Sequence, residues 1–264
     1  MSTVVLKFGG ASVSEPHRFS HVADIVLSRC AIYDSVVVVV SAMQGATSQL
    51  LDLAMLVNPY PPKRELDMMV SVGERVSIAL LAMALSRKGC EAISLTGSQS
   101  GILTCESHCE ARILEVRPHR LLKHLNERKV VIVAGFQGVS QSGEITTLGR
   151  GGSDTSAVAL GVSLGAEKVE FFKDVNGVYC RDPKKCTDSV KFSFLSYSDA
   201  LKIVQNGAKV LHYRAVELAA KNSLPLHVLS FRSASEDLHS GTWIGPACKE
   251  SLPPCNPVYE GCQV

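Results

Sequence analysis

The sequence predicts an α/β fold in which a mostly parallel sheet carries helices on both faces. Three observations lead there. Short apolar, β-branched runs recur along the chain, each too short to be a helix. Longer stretches with helical patterning separate them. The run Ser35–Val40 is valine at every position after its serine, which suits a strand covered on both sides rather than one facing water.

The elements follow in order. Thr3–Phe8 reads as a buried strand interrupted only by Lys7, and Gly9 and Gly10 end it. A helix is expected over residues 15–30, then the valine strand, then the small-residue loop Ser41-Ala42-Met43-Gln44-Gly45 before a helix starting near Ser48. Pro61 and Pro62 mark a break. One long helix is expected over 65–88, closed by Gly89, with strands at 92–96 and 130–135. Gln141-Ser142-Gly143 has the chemistry of a hairpin turn. A helix over 153–164, strands at 169–172 and Leu226–Ser230, and helices between them complete the pattern. Residues 246–264 show no helical or strand periodicity and are expected to be disordered or loosely docked.

Bulk properties narrow the function. The chain has 264 residues, 46% hydrophobic and 20% charged, with net charge +2. No basic block suggests a nucleic-acid partner. No apolar run comes near the roughly 20 residues of a membrane helix. Lys7 interrupts the first apolar stretch, so a signal peptide is not expected, and a cytoplasmic location is. Nine cysteines with no C-x-x-C pair read as reduced thiols; Cys105 and Cys109 are spaced to share a helix turn, and Cys248, Cys255 and Cys262 recur every seven residues.

In a parallel sheet, ligands collect beyond the C-terminal ends of the strands, so the glycine- and serine-rich loops should face one crevice. Lys7-Phe8-Gly9-Gly10-Ala11-Ser12 suits phosphate: glycines let backbone N–H groups approach an anion, and Lys7 adds a point charge. The spacing is not that of a Walker A loop. Thr147-Leu148-Gly149-Arg150-Gly151-Gly152-Ser153-Asp154 precedes a helix and combines glycines, hydroxyls and an arginine able to grip a carboxylate. A capping role for Ser153 or Asp154 would leave Arg150 among three glycines unexplained. Lys173-Asp174-Val175-Asn176-Gly177-Val178-Tyr179 and the following Asp182-Pro183-Lys184 form turns beyond a strand, where Tyr179 could pack on a base and Lys184 meet phosphate. Gly207 separates two helical stretches and would put Lys209 in the first turn of the second, where a nearby anion would offset the helix dipole. Glu74 and Arg75 in an apolar helix are costly unless paired; Glu74 could accept an ammonium group, or the pair could sit on a solvated face.

Together with Ser41-Ala42-Met43-Gln44-Gly45-Ala46-Thr47, Val72-Gly73-Glu74-Arg75 and Gly207-Ala208-Lys209-Val210-Leu211-His212, these segments resemble the aspartokinase branch of the amino-acid kinase family. The resemblance implies a three-layer α/β/α sandwich with a mostly parallel central sheet, covering residues 1–245. About 1–150 would hold the amino acid and about 151–245 the ATP. It implies phosphorylation of the L-aspartate side-chain carboxylate by ATP with Mg²⁺ carried on the phosphates, the first step toward lysine, threonine and methionine. A homodimer is the expected assembly. By motif, Lys7 and Lys209 would contact phosphate and Asp154 would order them. Ser41, Thr47, Glu74, Arg150 and Ser153 would hold aspartate, and Gly9, Gly10, Lys173, Asp174, Tyr179 and Lys184 would line the nucleotide site. A kinase for another acidic amino acid, or a subunit that binds without turnover, uses the same parts list.

The chemistry agrees. A carboxylate is already ionised at neutral pH and needs no base, so catalysis should be positioning plus positive charge. Three departures stand out: Lys173 where many relatives have threonine, Tyr213 where proline is usual, and a kinase pattern that ends near Ile244, short of the paired regulatory ACT domains that commonly follow. Feedback inhibition by lysine is therefore not expected.

Overall fold

The computed structural model describes residues 2–181, 188–208, 210–232, 240–246 and 259–260. In chain order these form β1 (Thr3–Phe8), a 3-10 turn (Gly10–Val13), α1 (Arg18–Cys30), β2 (Ser35–Val40), α2 (Ala46–Val57), α3 (Lys63–Val70) and α4 (Val72–Arg87). There follow β3 (Ala92–Leu95), β4 (Ile102–Thr104), β5 (Ile113–Val116), α5 (His119–Asn126), β6 (Val130–Ala134), β7 (Gln137–Ser140), β8 (Ile145–Thr147) and α6 (Gly152–Ser163). The rest are β9 (Lys168–Lys173), β10 (Phe194–Ser196), α7 (Tyr197–Gln205), α8 (Tyr213–Lys221), β11 (Leu226–Ser230) and β12 (Thr242–Gly245).

Eight strands form the central sheet in the order β10-β12-β11-β9-β1-β2-β6-β3, parallel except for the β11–β12 pair. Both faces are dry. Val4, Leu6 and Phe8 of β1 and Val36, Val38 and Val40 of β2 pack under α1 and α4, while Val5, Val37 and Val39 pack under α6 and α8. A strand buried at both parities must be apolar at every position, and this is why the valine run carries no alternation. The result is a three-layer α/β/α sandwich. A second sheet, β5-β4-β7-β8, sits beside it and contains the expected hairpin, β7 and β8.

β1 lies where the strand order reverses, with β2 on one side and β9 on the other. The loops after β1, β2 and β9 therefore leave the sheet together at a topological switch point.

Three expectations need correction. The long helix over 65–88 is two helices broken at Ser71, whose carbonyl accepts a hydrogen bond from Gln137 Nε2 at 2.9 Å. No glycine or proline marks the break; a distant side chain makes it. Cys105 and Cys109 share no helix turn, because Cys109 sits at φ 70° in an irregular segment. The helix expected to begin near Lys209 begins at Tyr213, and the extended His212 precedes it. Lys209 itself, like Lys184, lies outside the described residues. Lys63–Arg87 is apolar and long enough by composition to cross a membrane, yet it is broken at Ser71 and buries Asp67 and Glu74 as a core helix pair does.

Within the tail, Tyr259 and Glu260 are docked against β5, and the Glu260 amide donates to the Ile113 carbonyl at 3.0 Å. The buried ion pair between Glu260 and Arg214 helps to hold them there.

Candidate active site

A cavity of about 490 Å³ opens at the C-terminal ends of β1 and β2. Lys7, Ser41, Thr47, Glu74, Arg150, Ser153 and Asp154 all line it, joined by Phe136, Thr147 and the glycines 149, 151 and 152. Most of the proposed amino-acid site is thus brought together from segments far apart in sequence.

Two lysines converge on Asp154, and of these Lys7 lines the cavity. Lys7, only 5% exposed, points along β1 to Asp154, with Nζ to Oδ1 at 2.5 Å. Lys173, the last residue of β9, reaches the other oxygen of Asp154 at 3.2 Å. Because β1 pairs with β9 in register Lys7↔Phe171, the two lysines arrive from adjacent strands on one carboxylate. Burial alone would push the Asp154 carboxyl up, but Lys173 and Lys7 outweigh it and hold the pKa down to about 2. Burial lowers Lys173 to about 8, Asp154 opposes that fall and Lys7 adds to it. Lys173 therefore places a second ammonium on Asp154, although it is not among the residues lining the cavity. Lys209, expected to be the second lysine ordered by Asp154, lies outside the described residues.

Glu74, 3% exposed, lines the same cavity. Its Oε1 accepts the Ala42 amide at 3.1 Å, and its buried Oε2 has no hydrogen-bond partner among the described residues. Burial raises its pKa to about 7, against the pull of the Ala42 amide and of Lys7. A buried, unpartnered carboxylate oxygen calls for a donor, so the solvated-face alternative does not hold.

The α6 N-terminus forms part of the cavity wall. Gly149 and Gly151 turn the chain at φ 72° and 69°, and a Cβ on Gly151 would collide with the His212 ring. The Gly10 loop crosses close by, where a Cβ would stand 3.0 Å from the Ala42 carbonyl. A Cβ on Gly9 would meet only Lys7 Nζ, at an ordinary contact distance of 3.6 Å.

Asp174 is exposed at the end of β9, and Tyr179 forms an isolated bridge with Lys191; neither lines this cavity. Sequence reasoning missed Asp67. It is fully buried in α3 and accepts from Thr147 Oγ1 at 2.5 Å and from the Cys109 amide at 3.1 Å, and it meets His108 Nδ1 at 2.7 Å. An aspartate between apolar residues seven positions before Glu74 was the available signal. Phe136, at φ 70° and with its backbone N–H donating to Ser156 Oγ at 3.1 Å, was also missed; strain of this kind collects at functional sites.

Comparison with known proteins places the chain in a family. Residues 2–230 match the model of the amino acid kinase family. An aspartokinase of Geobacillus stearothermophilus is 50% identical over 230 residues, 87% of this chain and 56% of that protein. Aspartate kinase from Synechocystis superposes with a TM-score of 0.81 at 42% identity, over 96% of this chain and 40% of that one. E. coli aspartokinase III in complex with aspartate and ADP superposes with a TM-score of 0.81 at 26% identity, over 94% of this chain and 65% of that one. The chain spans about half the length of the curated relatives it matches. Its eight-stranded sheet, the lysines gathered on Asp154 and a family match running over most of its length lead to one conclusion: the chain belongs to the amino acid kinase family.

Proposed function

We propose that this chain transfers the γ-phosphoryl group of ATP to the side-chain carboxylate of L-aspartate. One observation carries the reading: one cavity is lined both by Glu74, a buried carboxylate with an unpartnered oxygen, and by Lys7 on Asp154, with the Lys173 ammonium on the same aspartate. An amino acid with an acidic side chain complements both groups. Its ammonium meets Glu74, its α-carboxylate meets Arg150 and the Ser41 and Thr47 hydroxyls, and its side-chain carboxylate faces the lysines.

The carboxylate attacks phosphorus, its oxygen–phosphorus bond forms, the bond to the β-phosphate oxygen breaks, and ADP leaves. No proton needs to be removed. Lys7 and Lys173 offset charge on the phosphoryl oxygens, and the α6 N-terminus adds backbone N–H groups and the positive end of its dipole. Asp154 holds both lysines in place. Because two ammonium groups engage it, Asp154 is a poor ligand for a divalent cation, so Mg²⁺ arrives on the nucleotide phosphates and adds positive charge there. Asp174, Tyr179, Lys184 and Lys209 stand as nucleotide contacts on motif grounds. We also infer a cytoplasmic enzyme that works as a homodimer.

ADP release from MgATP with L-aspartate, compared with L-glutamate, acetylglutamate and UMP, tests the reading. Turnover is expected with aspartate alone, and Lys7→Ala should lower kcat by about 100-fold or more, the scale of losing one group that stabilises developing charge. Turnover only with another substrate would overturn the assignment.

A further inference from the structure

We propose that Glu260 is a positioning residue for the amino-acid site, acting through Arg214 on the backbone that presents Gly149, Arg150 and Gly151. This rests on reading the cavity as the place where aspartate binds. Arg214 is the second residue of α8, and its side chain is 15% exposed. Its guanidinium is used almost fully. Nε donates to Glu260 Oε1 at 2.6 Å and Nη2 to Oε2 at 2.7 Å, a bidentate pair. Nη2 also donates to the Ala111 carbonyl at 2.9 Å and Nη1 to the Leu148 carbonyl at 2.5 Å.

Leu148 is the residue before the glycine loop. Its amide is already tied to the Phe136 carbonyl at 2.8 Å, so the Arg214 contact fixes the other side of the same residue. The next anchor is His212, two residues before Arg214, whose ring lies where a Gly151 side chain would be. The start of α8 therefore grips the loop at both ends, with Arg150 between them.

Arginine in the first turn of a helix faces the positive end of the dipole. A buried guanidinium also needs a counter-charge. Glu260 supplies it. Its side chain is 8% exposed and its Oε2 also accepts the Ile113 amide at 3.0 Å, so the carboxylate is itself locked to β5. Arg112 Nη1 stands 3.9 Å from Oε1. Tyr259 packs beside it against the main core. The contact joins a segment remote in sequence to the loop that carries Arg150. Without Glu260, Arg214 keeps two carbonyls but loses its charge partner, and the loop loses a fixed base.

The test uses Glu260→Ala and Glu260→Gln in the full chain, with Glu260→Asp as the conservative variant. Two readouts are followed: kinetics with aspartate and ATP, and amide hydrogen exchange of peptides covering residues 146–153. The expected result is an aspartate KM raised about tenfold, as for loss of one charge-assisted hydrogen bond, with the ATP KM changed by less than about twofold. Exchange in 146–153 should quicken while β1 and β2 stay protected, and Glu260→Asp should restore part of both. Unchanged exchange and an unchanged aspartate KM in folded variants would overturn the proposal. So would equal rises in both KM values with a lowered melting temperature, which mark general destabilisation. If the parent chain turns over no aspartate, the reading of the site fails, and the exchange result still decides the role of Glu260.

Discussion

At the scale of single residues, two groups set how the site responds to pH. Glu74 ordinarily titrates near 4.5 and is raised to about 7 by burial. Below about 4.5 it is protonated in both folded and unfolded chains. Between 4.5 and about 7 only the folded chain keeps the proton, so the stability of the ligand-free protein falls as pH rises across that window. An ammonium ligand needs the ionised form, so aspartate binding should weaken as pH falls below about 7. Lys173, lowered to about 8, loses its charge as pH rises through that value. The expected profile of kcat/KM for aspartate is therefore a narrow bell between the two. Glu74→Gln should flatten the acid limb, and Lys173→Arg should move the basic limb upward. A profile flat from pH 6 to 9 in the parent chain would contradict both assignments. Lys7 and Asp154 were legible in the sequence because a lysine ending a buried strand and an aspartate opening a glycine-rich helix have few bland explanations. The second lysine on Asp154 was not legible, since the motif pointed to Lys209 and only strand pairing shows that Lys173 reaches the same oxygen pair.

At the scale of elements, the break between α3 and α4 matters most. It lets Asp67 and Glu74 sit on two helices that both face the cavity region. Asp67 ties α3 to the Thr147 hydroxyl at the end of β8 and to the Cys109 amide. Asp67→Asn keeps the shape but exchanges one acceptor oxygen for a donor and leaves neutral a group that accepts from three partners. It should destabilise the chain by about 1–3 kcal/mol, the cost of an unsatisfied buried group, with a raised aspartate KM. Urea unfolding and kinetics check this together; wild-type stability in Asp67→Asn would show that the contacts around α3 carry little. Periodicity located the helical stretch as one element and gave no boundary within it. A serine looks like ordinary helix interior, and the Gln137 side chain that takes its carbonyl comes from β7.

At the scale of the whole molecule, the two hydrophobic layers are separable in effect. Leu81 on α4 is fully buried in the layer under α1, on the sheet face away from α6. Leu81→Ala should cost about 2–5 kcal/mol of stability, by loss of buried surface and an unfilled cavity. Its aspartate KM should stay close to that of the parent chain, because the substitution touches none of the cavity lining. A large KM change at unchanged stability would mean that the far layer shapes the site.

The sequence by itself determined the sheet with its two covered faces, the hairpin, the glycine loops and most of the residues around the cavity. Those features are local: strand-length apolar runs, turn chemistry and charged residues beside glycines announce themselves within a few positions. Tertiary structure alone decided the pairing of Lys173 with Asp154, the helix break at Ser71, the buried anchor at Asp67 and the docking of Glu260 on Arg214. Each of these joins residues 19 to 80 positions apart. Each is fixed by the geometry of neighbouring strands and by the need of buried polar groups for partners, and neither of these leaves a local mark in the chain.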